Sequence, residues 1–220
     1  MDIRFTMREF LDVFARYNQA VWPAQVVFIA AAVLVLFIAV RPTPGAGRAV
    51  AAVLAFFWGW MGVVYHALFF APVNPAARLF AILFIAQGVM LAGWAAGPAP
   101  SFRFQGDVRG IAGAALIVYA LAAYPLLGYL FGHRFPYAPT FGLPCPTTIF
   151  TLGLLLWAEQ VPVRLLAIPA AWALVGTSAA GSLGMTEDYG LLIAALVAVP
   201  LVHRRNRGRS ERTRQPAMTA

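Results

Sequence analysis

Three residues of this chain could supply a nucleophile, a base or a metal ligand from within apolar surroundings: Cys145, His66 and His133. The single cysteine lies in Gly142-Leu143-Pro144-Cys145-Pro146-Thr147-Thr148-Ile149-Phe150-Thr151. Pro146 can open a helix as its first residue, which places Cys145 at the cap position. There the free amides and the helix dipole favour a thiolate. The plainer reading is an inert thiol in a rigid turn. His66 lies among aromatics in Trp60-Met61-Gly62-Val63-Val64-Tyr65-His66-Ala67-Leu68-Phe69-Phe70. An ionisable residue inside an apolar span is a functional candidate, against the alternative of a neutral imidazole bonded to another span. His133 reads as a solvated loop residue. His66, His133 and Cys145 could together hold a soft or borderline metal ion, although no pair has the spacing of a dedicated metal motif. Apart from such an ion, no cofactor is expected. Glu187 and Asp188 open the last apolar span, where the helix dipole accounts for acidic residues. The sharper alternative is a cation or proton site beside His66.

The elements that must position these groups follow from composition. Of 220 residues, 61% are hydrophobic and 11% charged, and mean hydropathy is +0.76. A soluble domain carries roughly 25% charged residues, so a soluble enzyme is excluded. The fold class expected is an all-α polytopic membrane bundle. About seven spans can be read: 22–40, 48–70, 76–96, 108–131, a short one at 147–161, 165–183 and 189–203. Pro- and Gly-rich connectors separate most of them. Residues 1–21 form an amphipathic segment with Phe10, Leu11, Phe14 and Tyr17 at helical spacing, suited to a membrane surface. Residues 22–203 form the bundle, and 204–220 a basic tail expected to be disordered.

The charge pattern excludes as well as orients. All sixteen positive residues are Arg, with no Lys, which excludes Schiff-base chemistry and a phosphate-loop lysine. One Cys excludes an internal disulfide and any multi-cysteine metal cluster. Eleven of the sixteen arginines fall on the side of the C-terminus, six of them in the tail. The positive-inside rule then puts the C-terminus in the cytoplasm and the N-terminus outside, in a bacterial inner membrane. The tail, immediately cytoplasmic of a span, reads as an anionic-lipid contact and not as a nucleic-acid patch.

Folding the spans alternately collects Tyr17, Asn18, Tyr65, His66, Asn74, Cys145, Thr147, Thr148, Glu187 and Asp188 at the outer end, with Gln87 near mid-membrane. Polar groups in hydrocarbon face a cavity or a partner. A polar pocket opening outward is therefore expected.

Tyr17-Asn18 with Trp22-Pro23, Tyr65-His66 with Phe69-Phe70, Asn74-Pro75-Ala76, and Cys145-Pro146-Thr147-Thr148 with Phe150-Thr151 occur in one order. In these motifs the chain, from about Arg8 to Leu201, resembles a family of small bacterial integral-membrane proteins known only as a domain of unknown function. The resemblance implies that the motif residues share the outer face, and it carries no activity. Small-solute or ion transport through the outer pocket is the first functional expectation, since short or Pro-interrupted spans are where transporters bind substrate. The alternatives are a membrane-embedded enzyme or a metal- or redox-sensing protein using Cys145 and His66, or an accessory subunit. Expected partners are the lipid bilayer and a small solute or ion, with a homo-oligomer also open.

Overall fold

The computed structural model describes residues 5–41, 43–98 and 100–214, with side chains to residue 207. Arg4 and the side chains of Arg209, Arg212 and Arg214 lie outside the described residues, as does the backbone of 215–220. Among the described residues regular structure is helical, with two isolated β-bridges, Phe102 with Ala158 and Phe141 with Leu143.

Helix α1, Met7–Val21, starts at a capping box. The Glu9 amide donates to Thr6 Oγ1 at 3.2 Å, and the Thr6 amide to Glu9 Oε2 at 2.7 Å. Part of its apolar stripe packs into the protein. Val13, Phe14, Tyr17 and Asn18 are buried in the protein, while Arg8, Glu9 and Arg16 remain exposed. Phe14 and Tyr17 pack against Tyr65, at ring-centroid distances of 6.2 and 5.5 Å.

Helix α2, Ala24–Ala39, leaves α1 at 84°. Helix α3, Ala46–Trp60, continues as a π-helix over Met61–Phe70, and α4 covers Ala77–Ala96. Helix α5, Val108–Val118, runs through a second π segment, Tyr119–Ala123, into α6, Tyr124–Leu130. Helix α7 spans Pro144–Trp157 and α8 spans Arg164–Leu183. A 3₁₀ turn, Thr186–Asp188, leads into α9, Tyr189–Arg214. The last helix thus runs on past His203, where the sequence pattern ends it.

Five helices are long and apolar enough to cross a membrane: 46–70, 77–96, 108–130, 164–183 and 186–207. The bent α1–α2 pair makes a sixth if counted as one span. The expectation of about seven is not confirmed, because the two short elements fall short of roughly 30 Å of hydrocarbon. With 16 residues α2 reaches about 24 Å, and α7 with 14 reaches about 21 Å. Helix α7 instead sits inside the bundle: of its residues only Cys145 is not fully buried. Small residues admit the neighbours. A Cβ on Gly113 of α5 would lie 2.7 Å from the Gly153 carbonyl of α7, and one on Gly153 would lie 2.9 Å from that of Gly113. The two backbones meet there directly.

At the end of the bundle opposite α1, the chain ties off the foot of α7. Arg103 N donates to Trp157 O at 2.8 Å, Glu159 N to Ser101 O at 2.7 Å, and Asn206 Nδ2 to Val161 O at 2.7 Å. The Arg205 guanidinium donates to the carbonyl of Ala158.

Candidate functional site

The two π-helical stretches deliver the site. A π turn bonds five residues back, as Ala71 N does to His66 O at 2.9 Å, and such turns recur at functional sites because they re-aim side chains within a continuing helix. The first carries Tyr65 and His66, and the second leads directly into Tyr124, the first residue of α6. Between these segments, at the α1 end of the bundle, lies a cavity of about 220 Å³.

Its walls are mainly apolar and rich in rings: Phe5, Phe10, Phe14, Tyr65, Phe70, Phe80, Tyr124 and Trp172 line it, with Leu143, Val175, Ala180, Leu183 and Met185. Cys145 and Asp188 line it too, and the exposed Ala76 and Ser178 mark its rim. Asp188, 4% exposed, accepts a hydrogen bond from the Tyr124 hydroxyl, and the Cys145 thiol lies against the same carboxyl. The indole N–H of Trp172 is buried with no oxygen or nitrogen acceptor. A Cβ on Gly176 would meet Leu191 Cδ1 at 2.6 Å and stand 3.8 Å from both Trp172 Nε1 and Cys145 Sγ, so this glycine admits Leu191 beside the thiol and the indole.

The pocket expected from the sequence therefore changes character. It is an apolar chamber with a small polar cluster, and of the expected residues it takes in Tyr65, Asn74, Cys145 and Asp188. The others serve the framework. Tyr17 donates to Gly142 O at 3.3 Å and accepts from Trp60 Nε1 at 2.9 Å. Asn18, fully buried, donates to Pro136 O and Ala138 O, both at 2.7 Å, and accepts from Thr140 Oγ1 at 2.8 Å. These bonds fasten the 131–143 connector to α1. Asn74 Oδ1 accepts from Ala76 N at 3.1 Å and shapes the turn before α4. Thr147 Oγ1 accepts from Gly142 N at 3.2 Å. Thr148 Oγ1 is buried with no partner. Gln87 bonds to the backbone of α8.

His133 is not a solvated loop residue. It is 6% exposed, and its Nδ1 lies 2.8 Å from Oε1 of the fully buried Glu187. Glu187 Oε2 has no partner, and its backbone carbonyl accepts from Tyr119 Oη at 2.7 Å. His66 is fully buried with both ring nitrogens unpartnered. Rings surround it: Phe84 at 4.5 Å, Tyr65 at 5.1 Å, Trp172 at 5.2 Å and Phe80 at 5.7 Å. The metal set His66, His133 and Cys145 is accordingly corrected, since among the described residues no group of three His, Cys, Asp or Glu side chains could hold an ion. His133 is paired with Glu187, and His66 is enclosed by aromatic rings. Cys145 also lies inside the first turn of α7, which begins at Pro144, and not at its cap.

Sequence reading passes over Tyr124 and Trp172. The available signal is Pro125: a proline in mid-span disturbs the helical ladder, and the phenol preceding it faces the site.

Fold and site together define an all-helical bundle with five or six helices of membrane-crossing length and apolarity, and one aromatic cavity near its α1 end. The chain belongs to the family of unknown function DUF6064, which it matches over residues 7–213. The resemblance carried by its motifs is thus confirmed. Neither curated proteins nor solved structures provide a match.

Proposed function

We propose that this is a multi-pass membrane protein that binds a small, largely apolar molecule in the cavity, with the ligand's polar end at Asp188 and Tyr124. One observation carries the reading: aromatic walls enclose the space while the Asp188 carboxyl, the Tyr124 hydroxyl, the Cys145 thiol and the Trp172 N–H gather in one part of it. Ligand sites have this composition, an apolar lining with few polar groups that fix orientation. The size sets the scale. An engineered apolar cavity of about 150 Å³ holds benzene, so about 220 Å³ suits one ring with a short substituent.

Binding is preferred to transport. Along α7 the buried polar side chains stop at Thr151, and beyond it Leu152, Leu154, Leu155 and Leu156 are buried and apolar, which favours a closed site over a through-path. The arginine distribution supports an inner-membrane location with the cavity end outside and the Arg-rich end against anionic lipid.

The test is saturation-transfer NMR of 2-phenylethanol with detergent-solubilised protein, alongside Ala180→Phe. Ala180 lines the cavity and is buried, so the larger side chain fills it. Binding to the unaltered protein and its loss in the folded variant are expected. Equal binding by both would place the ligand elsewhere and overturn the proposal.

A further inference from the structure

Resting on that binding reading, we infer that the ligand is a small organic cation, a protonated amine held between the Asp188 carboxylate and the aromatic wall. Asp188 is almost wholly buried and lines the cavity. The pairs Arg109 with Asp107 and His133 with Glu187 do not involve Asp188. A carboxylate taken from water without a counter-charge is costly, and an ammonium in the cavity would supply one. The surroundings suit a cation and do not suit a second anion. Ring faces attract cations, the more so when both are desolvated, and Tyr65, Phe70 and Trp172 stand in the same wall. A cation there needs no lysine or arginine from the protein.

A second, independent observation refines the ligand. The Trp172 N–H is a buried donor with no oxygen or nitrogen acceptor, and it stands beside the Cys145 sulfur, a weak acceptor. Buried donors in native proteins are nearly always satisfied. A ligand hydroxyl or carbonyl oxygen near the charged nitrogen would accept that bond, so the class becomes a compact aryl- or alkyl-amine bearing one oxygen acceptor.

Three isosteric probes decide it on the unaltered, detergent-solubilised protein: 2-phenylethylamine, 2-phenylethanol and propylbenzene. Calorimetric or NMR titration is expected to give the amine at least about tenfold tighter binding than either neutral probe. In Asp188→Asn the amine is expected to lose its advantage over 2-phenylethanol measured on the same variant. An acceptor-bearing amine, 2-amino-1-phenylethanol, is expected to bind more tightly than 2-phenylethylamine, and to lose that advantage in Trp172→Phe. Neutral probes binding as well as the amine would overturn the cation inference and leave the cavity reading standing. Failure of all the probes would overturn the cavity reading and the inference with it. The comparison on the unaltered protein settles the matter even if Asp188→Asn does not fold.

Discussion

Gln87 Nε2 donates to the carbonyl of Leu165 at 2.9 Å, and that carbonyl belongs to the residue four places before Pro169. A proline has no N–H to return to it, so an amide from α4 satisfies a group that α8 itself leaves open. In an apolar interior such a carbonyl is expensive to leave bare. Interhelical side-chain bonds in membrane proteins average about 0.6 kcal/mol, because lost partners are replaced. Here the helix offers no replacement, and Gln87→Leu is expected to cost roughly 1–2 kcal/mol, near the upper end of what such bonds contribute. With Pro169→Ala present, the restored backbone N–H should reduce that penalty by at least half. Thermal unfolding in detergent measures both. A penalty unchanged by Pro169→Ala would show that the bond does not serve the proline.

Asn18 holds the 131–143 connector by three hydrogen bonds at 2.7–2.8 Å. Asn18→Ala is expected to lose roughly 2 kcal/mol, counting about 0.5–1.5 kcal/mol for each bond less what water restores. Hydrogen exchange should rise over 136–143 while α7 stays protected. Uniform acceleration across the bundle would contradict a local fastening role.

Removing one member of a buried pair is costly because the other is left uncompensated. His133→Ala leaves Glu187 without its 2.8 Å partner in a fully buried site. The expected loss is about 3 kcal/mol. Glu187→Gln in the same background should recover much of it by replacing the unpartnered carboxyl with an amide. A double-mutant cycle on unfolding midpoints tests this, and additive effects would refute the coupling.

Glycines on the framework should respond in opposite senses. Gly113→Ala drives a methyl to 2.7 Å from the Gly153 carbonyl, a backbone atom that cannot step aside. Overpacking of this kind costs roughly 1–3 kcal/mol. Gly59, inside α3, has nothing within 4 Å of an added Cβ, so Gly59→Ala should gain up to about 1 kcal/mol from helix propensity. Melting temperatures of the two variants in one detergent should move apart, and a common direction would be inconsistent with the packing described.

Asp107 caps α5, accepting from Gly110 N at 2.9 Å and from Arg109. Chiefly the Gly110 amide, aided by Arg109, holds its carboxyl below the usual carboxylate range. The sign follows from linkage: the stability it adds is present above the ordinary carboxylate pKa and is lost as pH falls through the lowered value. Protection of the Gly110 amide should therefore weaken only in that acid window. Asp107→Ala, costing about 1 kcal/mol as a lost cap, should abolish the pH dependence.

Much of the framework was legible because burial against lipid writes itself into composition. The long apolar runs ending at Phe70, Ala96 and Leu183 correspond to helices with those ends. Helix α7 misled for a physical reason: a helix buried on every side and one facing lipid are equally apolar, and only length separates them. His133 misled because a loop residue in sequence can be buried by the loop's own fold.

Chain composition and the spacing of its breaks determined a helical membrane-type bundle, its motif residues and the end at which they gather, since these depend on local hydropathy and on alternating direction. Tertiary structure alone decided which polar groups meet. It paired His133 with Glu187 and Tyr124 with Asp188, isolated His66 among rings, and turned the anticipated polar pocket into an aromatic cavity. The physical reason is direction. Span boundaries place a residue along the bundle axis, whereas π-helical turns and glycine contacts between helices set its rotation about that axis, and a site requires both.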